Sequence, residues 1–70
     1  MMPLSMADIG EKQRVIKING KDQTRQFLEN LGFVEGSEVT VVSEISGNII
    51  VNVKDTRVAL DKAMANRIIV

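Results

Sequence analysis

Between Leu28 and Val42 the chain reads LENLGFVEGSEVTVV, and over this stretch a helical pattern gives way to a strand with only Gly32, Gly36 and the residues between them to make the change. Upstream, Thr24, Phe27, Leu28 and Leu31 fall at i, i+3, i+4 and i+7, one face of an amphipathic helix over DQTRQFLENL. Asp22 stands where such a helix takes its N-cap. Gly32 stands at the C′ position, where a left-handed residue lets the last carbonyls find partners. Phe33 then falls at C″, positioned to pack back on Leu28. Gly36 occupies the site of a type II turn that requires positive φ. The two glycines are read as structural turn residues, because backbone geometry accounts for both.

The remaining elements are short. PLSMADIGEK is an opening turn capped by Ser5 and ended by Gly10, with Asp8 near its positive end. RVIKI, residues 14–18, is a first strand, and Asn19-Gly20 a plain turn into the helix. EVTVVSEI (38–45) and NIIVNVK (48–54) form a tight hairpin around Ser46-Gly47-Asn48. TRVAL (56–60) follows a turn at Lys54-Asp55, DKAMAN supplies one helical turn, and RIIV closes the chain as a strand. The expected order is strand, helix, three strands, helical turn, strand, a mainly β chain with short helices that suggests a small barrel. By alternation Ile16 and Ile18, Val39 and Val41, Ile49, Val51 and Val53, Val58 and Leu60, and Ile68 and Val70 face inward, while Val15, Val42, Ile50 and Ile69 face outward. Phe27, Leu28 and Leu31 would plug one open end, and Met64 would fill the core beneath the last strand. Seventy residues suit one domain, covering 1–70, that buries about 60% of its unfolded surface.

Charge and residue inventory narrow the chemistry. Nine basic residues balance nine acidic ones, so the basic excess of a general nucleic-acid binder is missing. With two aromatics there is no platform for stacking bases. Histidine and cysteine are absent, which excludes their catalysis and the usual zinc ligands. Gly20-Lys21 lacks the other elements of a phosphate loop. Glu35, Glu38, Glu44, Asp55 and Asp61 are scattered along turns and strand exteriors, whereas hard-oxygen metal sites need several converging carboxylates. The expectation is no catalytic residue, no cofactor, no metal site, and no site-specific response to micromolar Fe²⁺ or Mn²⁺. No apolar run reaches the ~20 residues of a membrane span, and the N-terminus lacks a signal-peptide pattern, so a cytoplasmic protein is expected. If the outward aliphatics Val15, Val42, Ile50 and Ile69 cluster in space, they would mark a partner surface or a self-association face. The other candidate surface for docking a partner protein is the helix exterior, Arg25, Gln26, Glu29 and Asn30, with Phe33 at the adjoining Gly32 to Gly36 corner.

Three segments together resemble the FeoA family. PLSMADIGEKQRVIKI is similar to the family's opening, a Leu-Ser turn followed by Gly and a strand. FLENLGFVEGSEVTVV resembles its most typical segment, roughly L-x-x-L-G-(F/L)-V-P-G-x-x-(V/I)-x-V, and TRVALDKAMANRIIV its C-terminal segment. Glu35 stands where the family often has Pro, Asp55 where Gly is usual, and Asp61 where a basic residue is common. The resemblance implies an SH3-like β-barrel with helical additions. It implies a non-enzymatic accessory role in ferrous iron transport, docking on the cytoplasmic part of the membrane Fe²⁺ transporter FeoB. Different readings are a stand-alone small-barrel module associated with nucleic acid or the ribosome, a homo-oligomer built through strand edges, and the SH3-like C-terminal module of an iron-dependent repressor. The zero net charge counts against the first, and the chain has no room for the DNA-binding domain of the last.

Overall fold

The computed structural model describes residues 1–70 and arranges them as six strands, two α-helices and one turn of 3-10 helix. The 3-10 turn spans Leu4–Met6. The strands are β1 (Lys12–Arg14), β2 (Lys17–Ile18), β3 (Glu38–Ile45), β4 (Asn48–Val53), β5 (Thr56–Asp61) and β6 (Ile68–Ile69). Helix α1 covers Gln23–Leu31 and α2 covers Lys62–Ala65.

β3, β4 and β5 form an antiparallel meander with β1 on its outer side, giving the order β1-β3-β4-β5. The meander turns are tight because both central residues of each adopt left-handed backbone. These are Ser46 and Gly47 (φ 52° and 83°) in one, Lys54 and Asp55 (φ 49° and 61°) in the other. Val39 faces Val53 and Val41 faces Val51, and a bulge then shifts the register between Val41 and Ser43. β2 and β6 form a separate two-stranded ribbon. Met2 extends that ribbon by exchanging backbone hydrogen bonds with Val70 at 2.9 and 2.8 Å.

The strands therefore make two sheets, and their hydrogen bonding does not close into the continuous barrel expected from the sequence. The cause is a break inside RVIKI. Arg14 ends β1 and Lys17 begins β2, so one expected strand serves two sheets. The intervening residues shift the alternation, which leaves Val15 2% exposed and Ile16 44% exposed, the reverse of the expected inside and outside. Ile69, expected outside, is also buried, because β6 lies between β2 and the N-terminal segment. Val42 and Ile50 are half-buried. Lys12–Arg14 was hidden in the sequence because KQR carries no apolar alternation to mark a strand.

Both sheets pack on one apolar core of 14 residues, including Val15, Ile18, Ile68 and Val70 from the ribbon side and Val39, Val51, Val53 and Leu60 from the larger sheet. No polar or charged residue is buried. Leu28 of α1 and Ala65 of α2 enter this core, Leu31 and Met64 pack at its margin, and Phe27 stays outside at 51% exposure. Ser5 does not cap the opening turn. Its hydroxyl donates instead to the side-chain carbonyl of Asn66 and ties that turn to the end of α2.

Candidate docking surface

Helix α1 is fixed at both ends. Asp22 accepts from the Arg25 amide at 3.3 Å and from Arg67 Nη1 at 2.7 Å, so one carboxylate caps the helix and anchors it to the segment before β6. The Arg67 hydrogen bond, then the Arg25 amide, hold the Asp22 carboxyl below its usual range. Through the same bond Asp22 raises the Arg67 guanidinium. At the other end Phe33 N–H donates to Leu28 C=O at 3.1 Å and Gly32 N–H to Glu29 C=O at 3.0 Å. With Gly32 at φ 113°, this is the Schellman pattern, and it orients the helix against the next loop.

The corner after the helix is equally constrained. Ser37 N–H donates to Val34 C=O at 3.0 Å, closing a turn with Gly36 at φ 88°. Ser37 Oγ accepts from Val34 N–H at 3.1 Å and donates to Gly32 C=O at 2.9 Å. Arg14 Nη1 donates to Gly36 C=O at 2.8 Å, and Val15 exchanges backbone bonds with Gly36 and Ser37. Sequence reasoning singled out neither Arg14 nor Ser37. The serine after a turn glycine was the available signal, since a hydroxyl there reaches nearby backbone groups.

On the solvent side α1 presents Gln26, Glu29 and Asn30 together with the part-exposed Arg25. Arg25 Nε lies 3.8 Å from Glu29 Oε1, and its Nη1 donates to Gly20 C=O at 3.1 Å. An exposed pair of this kind contributes a few tenths of a kcal/mol, so it organises the surface more than it stabilises the helix. Phe33 does not join this face. It is 0% exposed, because the Schellman turn folds it onto the core. The exposed aromatic is Phe27, whose neighbour one turn on is Asn30. An apolar side chain bordered by a polar one fits the edge of a protein–protein contact.

Elsewhere the surface offers little chemistry. A hollow of about 380 Å³ lies over the ends of β1, β3 and β4, lined by Lys12, Ser37, Glu38, Thr40, Asn52, Lys54 and Asp55. Its walls carry no apolar residue, unlike the predominantly apolar lining of ligand pockets. Lys12 Nζ sits 3.9 Å from Glu38 Oε1, so its charges partly offset one another. No three carboxylates converge anywhere on the molecule. No helix is long and apolar enough to cross a membrane.

The family model for the FeoA domain matches residues 2–70. The chain belongs to the FeoA family. It is 31% identical over 70 residues to a Methanocaldococcus jannaschii protein that carries the name Fe(2+) transport protein A, covering 100% of this chain and 85% of that one. A crystal structure described as the iron uptake regulatory protein FeoA superposes with TM-score 0.87 at 34% identity, over 96% of this chain and 89% of that one. Stenotrophomonas maltophilia FeoA, crystallised with zinc and described as a prokaryotic SH3 domain protein, gives TM-score 0.88 at 29% identity over 99% and 88%. The mainly β, SH3-like fold is thus common to this FeoA family member and those structures.

Proposed function

We propose that this FeoA family member is a non-enzymatic accessory module of ferrous iron transport. In this reading it acts in the cytoplasm, docking through the outer face of α1 on the cytoplasmic part of the transporter FeoB. The observation that carries the reading is an α1 anchored at both ends by hydrogen bonds, with Phe27 exposed beside Asn30 and with Arg25, Gln26 and Glu29 on the adjoining solvent side of the helix. A pre-organised face loses little conformational freedom on binding.

A ¹⁵N-HSQC titration with the purified cytosolic GTP-binding domain of the transporter, with and without nucleotide, tests this. The expected result is localised shifts on Arg25 to Asn30 and on the Gly32 to Gly36 corner. Reversing charge at both Arg25 and Glu29 should weaken binding by about tenfold, ~1.4 kcal/mol. Unchanged affinity would eliminate this face, and an absence of shifts would eliminate docking on that domain.

A further inference from the structure

The six residues of β5 form the longest open edge in the molecule. β4 pairs with β5 along its whole length, and no strand lies on the other side. In an antiparallel ladder alternate residues turn their N–H and C=O groups away from the existing partner. None of the turn, loop or cap hydrogen bonds uses a backbone group of Arg57 to Leu60. Edges of this kind are normally blunted by proline, lysine, a bulge or shortness. β5 contains no proline or lysine and pairs without a bulge, whereas the opposite edge, β1, has three residues with Lys12 and Arg14 among them.

The charges on this edge are also unmatched within the chain. Arg57 makes no ion pair or side-chain hydrogen bond. The Asp61 carboxylate caps α2 by accepting from Met64 N–H at 2.8 Å through Oδ1, which leaves Oδ2 free. Arg57, Ala59 and Asp61 are exposed and share one face of the strand, while Leu60 points to the core. If two copies of β5 pair about a two-fold axis, residues opposite one another must belong to the same face. Centring the axis on Arg57 opposes like charges, and centring it on Val58 brings Asp61 opposite Asp55. Centring it on Ala59 puts Arg57 of each copy opposite Asp61 of the other, with two small alanines at the axis.

We propose that β5 is a self-association edge, joining two copies of this chain antiparallel about Ala59 with two symmetric Arg57–Asp61 pairs. The proposal is independent of docking by α1 because it uses a different element. A contact of this size belongs to the weak class, so it forms at elevated concentration.

The chain has no cysteine, so a single introduced thiol reports register without interference. Ala59→Cys should form disulfide-linked dimers at least about tenfold faster than Asn30→Cys on the outer face of α1 under the same oxidant, because only the former thiols meet at the axis. Light scattering of the unmodified chain from about 10 µM to about 1 mM should show mass rising toward the dimer. Ala59→Lys, which opposes two cations, should hold the monomer across that range. Arg57→Asp should do the same, and Asp61→Asn, which keeps a capping side chain, should weaken the dimer. A monomer throughout, with equal crosslinking rates for the two thiols, would overturn the proposal. So would a dimer indifferent to Ala59→Lys and Arg57→Asp, since it would lie on another face.

Discussion

Phe27 and Phe33 are the only aromatic residues, and the fold gives them opposite environments six positions apart. In the sequence Phe27 shares a helical stripe with Leu28 and Leu31, which reads as core. In this helix, however, only Leu28 is fully buried, and Leu31 packs at the core margin. Phe33 enters from beyond the helix end because Gly32 reverses the chain. Phe33→Ala should therefore cost about 3–5 kcal/mol. That is most of the stability of a chain this short, given a usual range of about 5–15 kcal/mol. Phe27→Ala should change stability by less than about 1 kcal/mol while weakening the proposed docking. Urea midpoints followed by circular dichroism compare the two, and equal losses would contradict this division.

At the level of elements, the hairpin β3–β4, the strand β5 and the limits of α1 were legible because their signals are local: turn residues, an Asp cap, a C′ glycine. The break between β1 and β2 was not, because all of RVIKI favours extended backbone and only tertiary pairing decides that Val15 and Ile18 both turn inward. Of the candidate site, the polar face of α1 was legible from its period. Phe27 was not, since helix rotation depends on packing. The clasp between Asp22 and Arg67, 45 residues apart, was equally invisible. Its consequence is a pH dependence. Asp22 has an ordinary value of about 3.9 in the unfolded chain and a lowered one in the fold. The folded state thus resists the proton more than the unfolded state. The clasp stabilises fully above the unfolded value, and its contribution disappears as pH falls through the folded one. Asp22→Asn keeps an N-cap residue and removes the charge. It should lower the urea midpoint at about pH 6, and the deficit should shrink steadily below about pH 4. A deficit that did not vary with pH would mean the clasp acts only as a neutral hydrogen bond.

For the molecule as a whole, the question is whether two sheets mean two cooperative units. Few hydrogen bonds join the ribbon to the larger sheet, so backbone connectivity alone would let the ribbon open first. The core argues otherwise. Ile68 and Leu4, both 0% exposed, belong to the same apolar cluster as Val51 and Leu28, so opening the ribbon would expose the inner face of the larger sheet. Within the ribbon β6 is held on both sides, with Ile16 N–H donating to Ile69 C=O at 2.7 Å beside β2 and Val70 paired with Met2. Such coupling predicts a single unfolding unit. Ile68→Ala should cost about 2–5 kcal/mol. Native-state hydrogen exchange should then show the most protected amides of β4 and the Ile16 and Asn19 amides of the ribbon accelerating by the same factor. Acceleration confined to the ribbon would show that its contacts break before the larger sheet opens, and the fold would then consist of a stable meander with a separable closing strand pair.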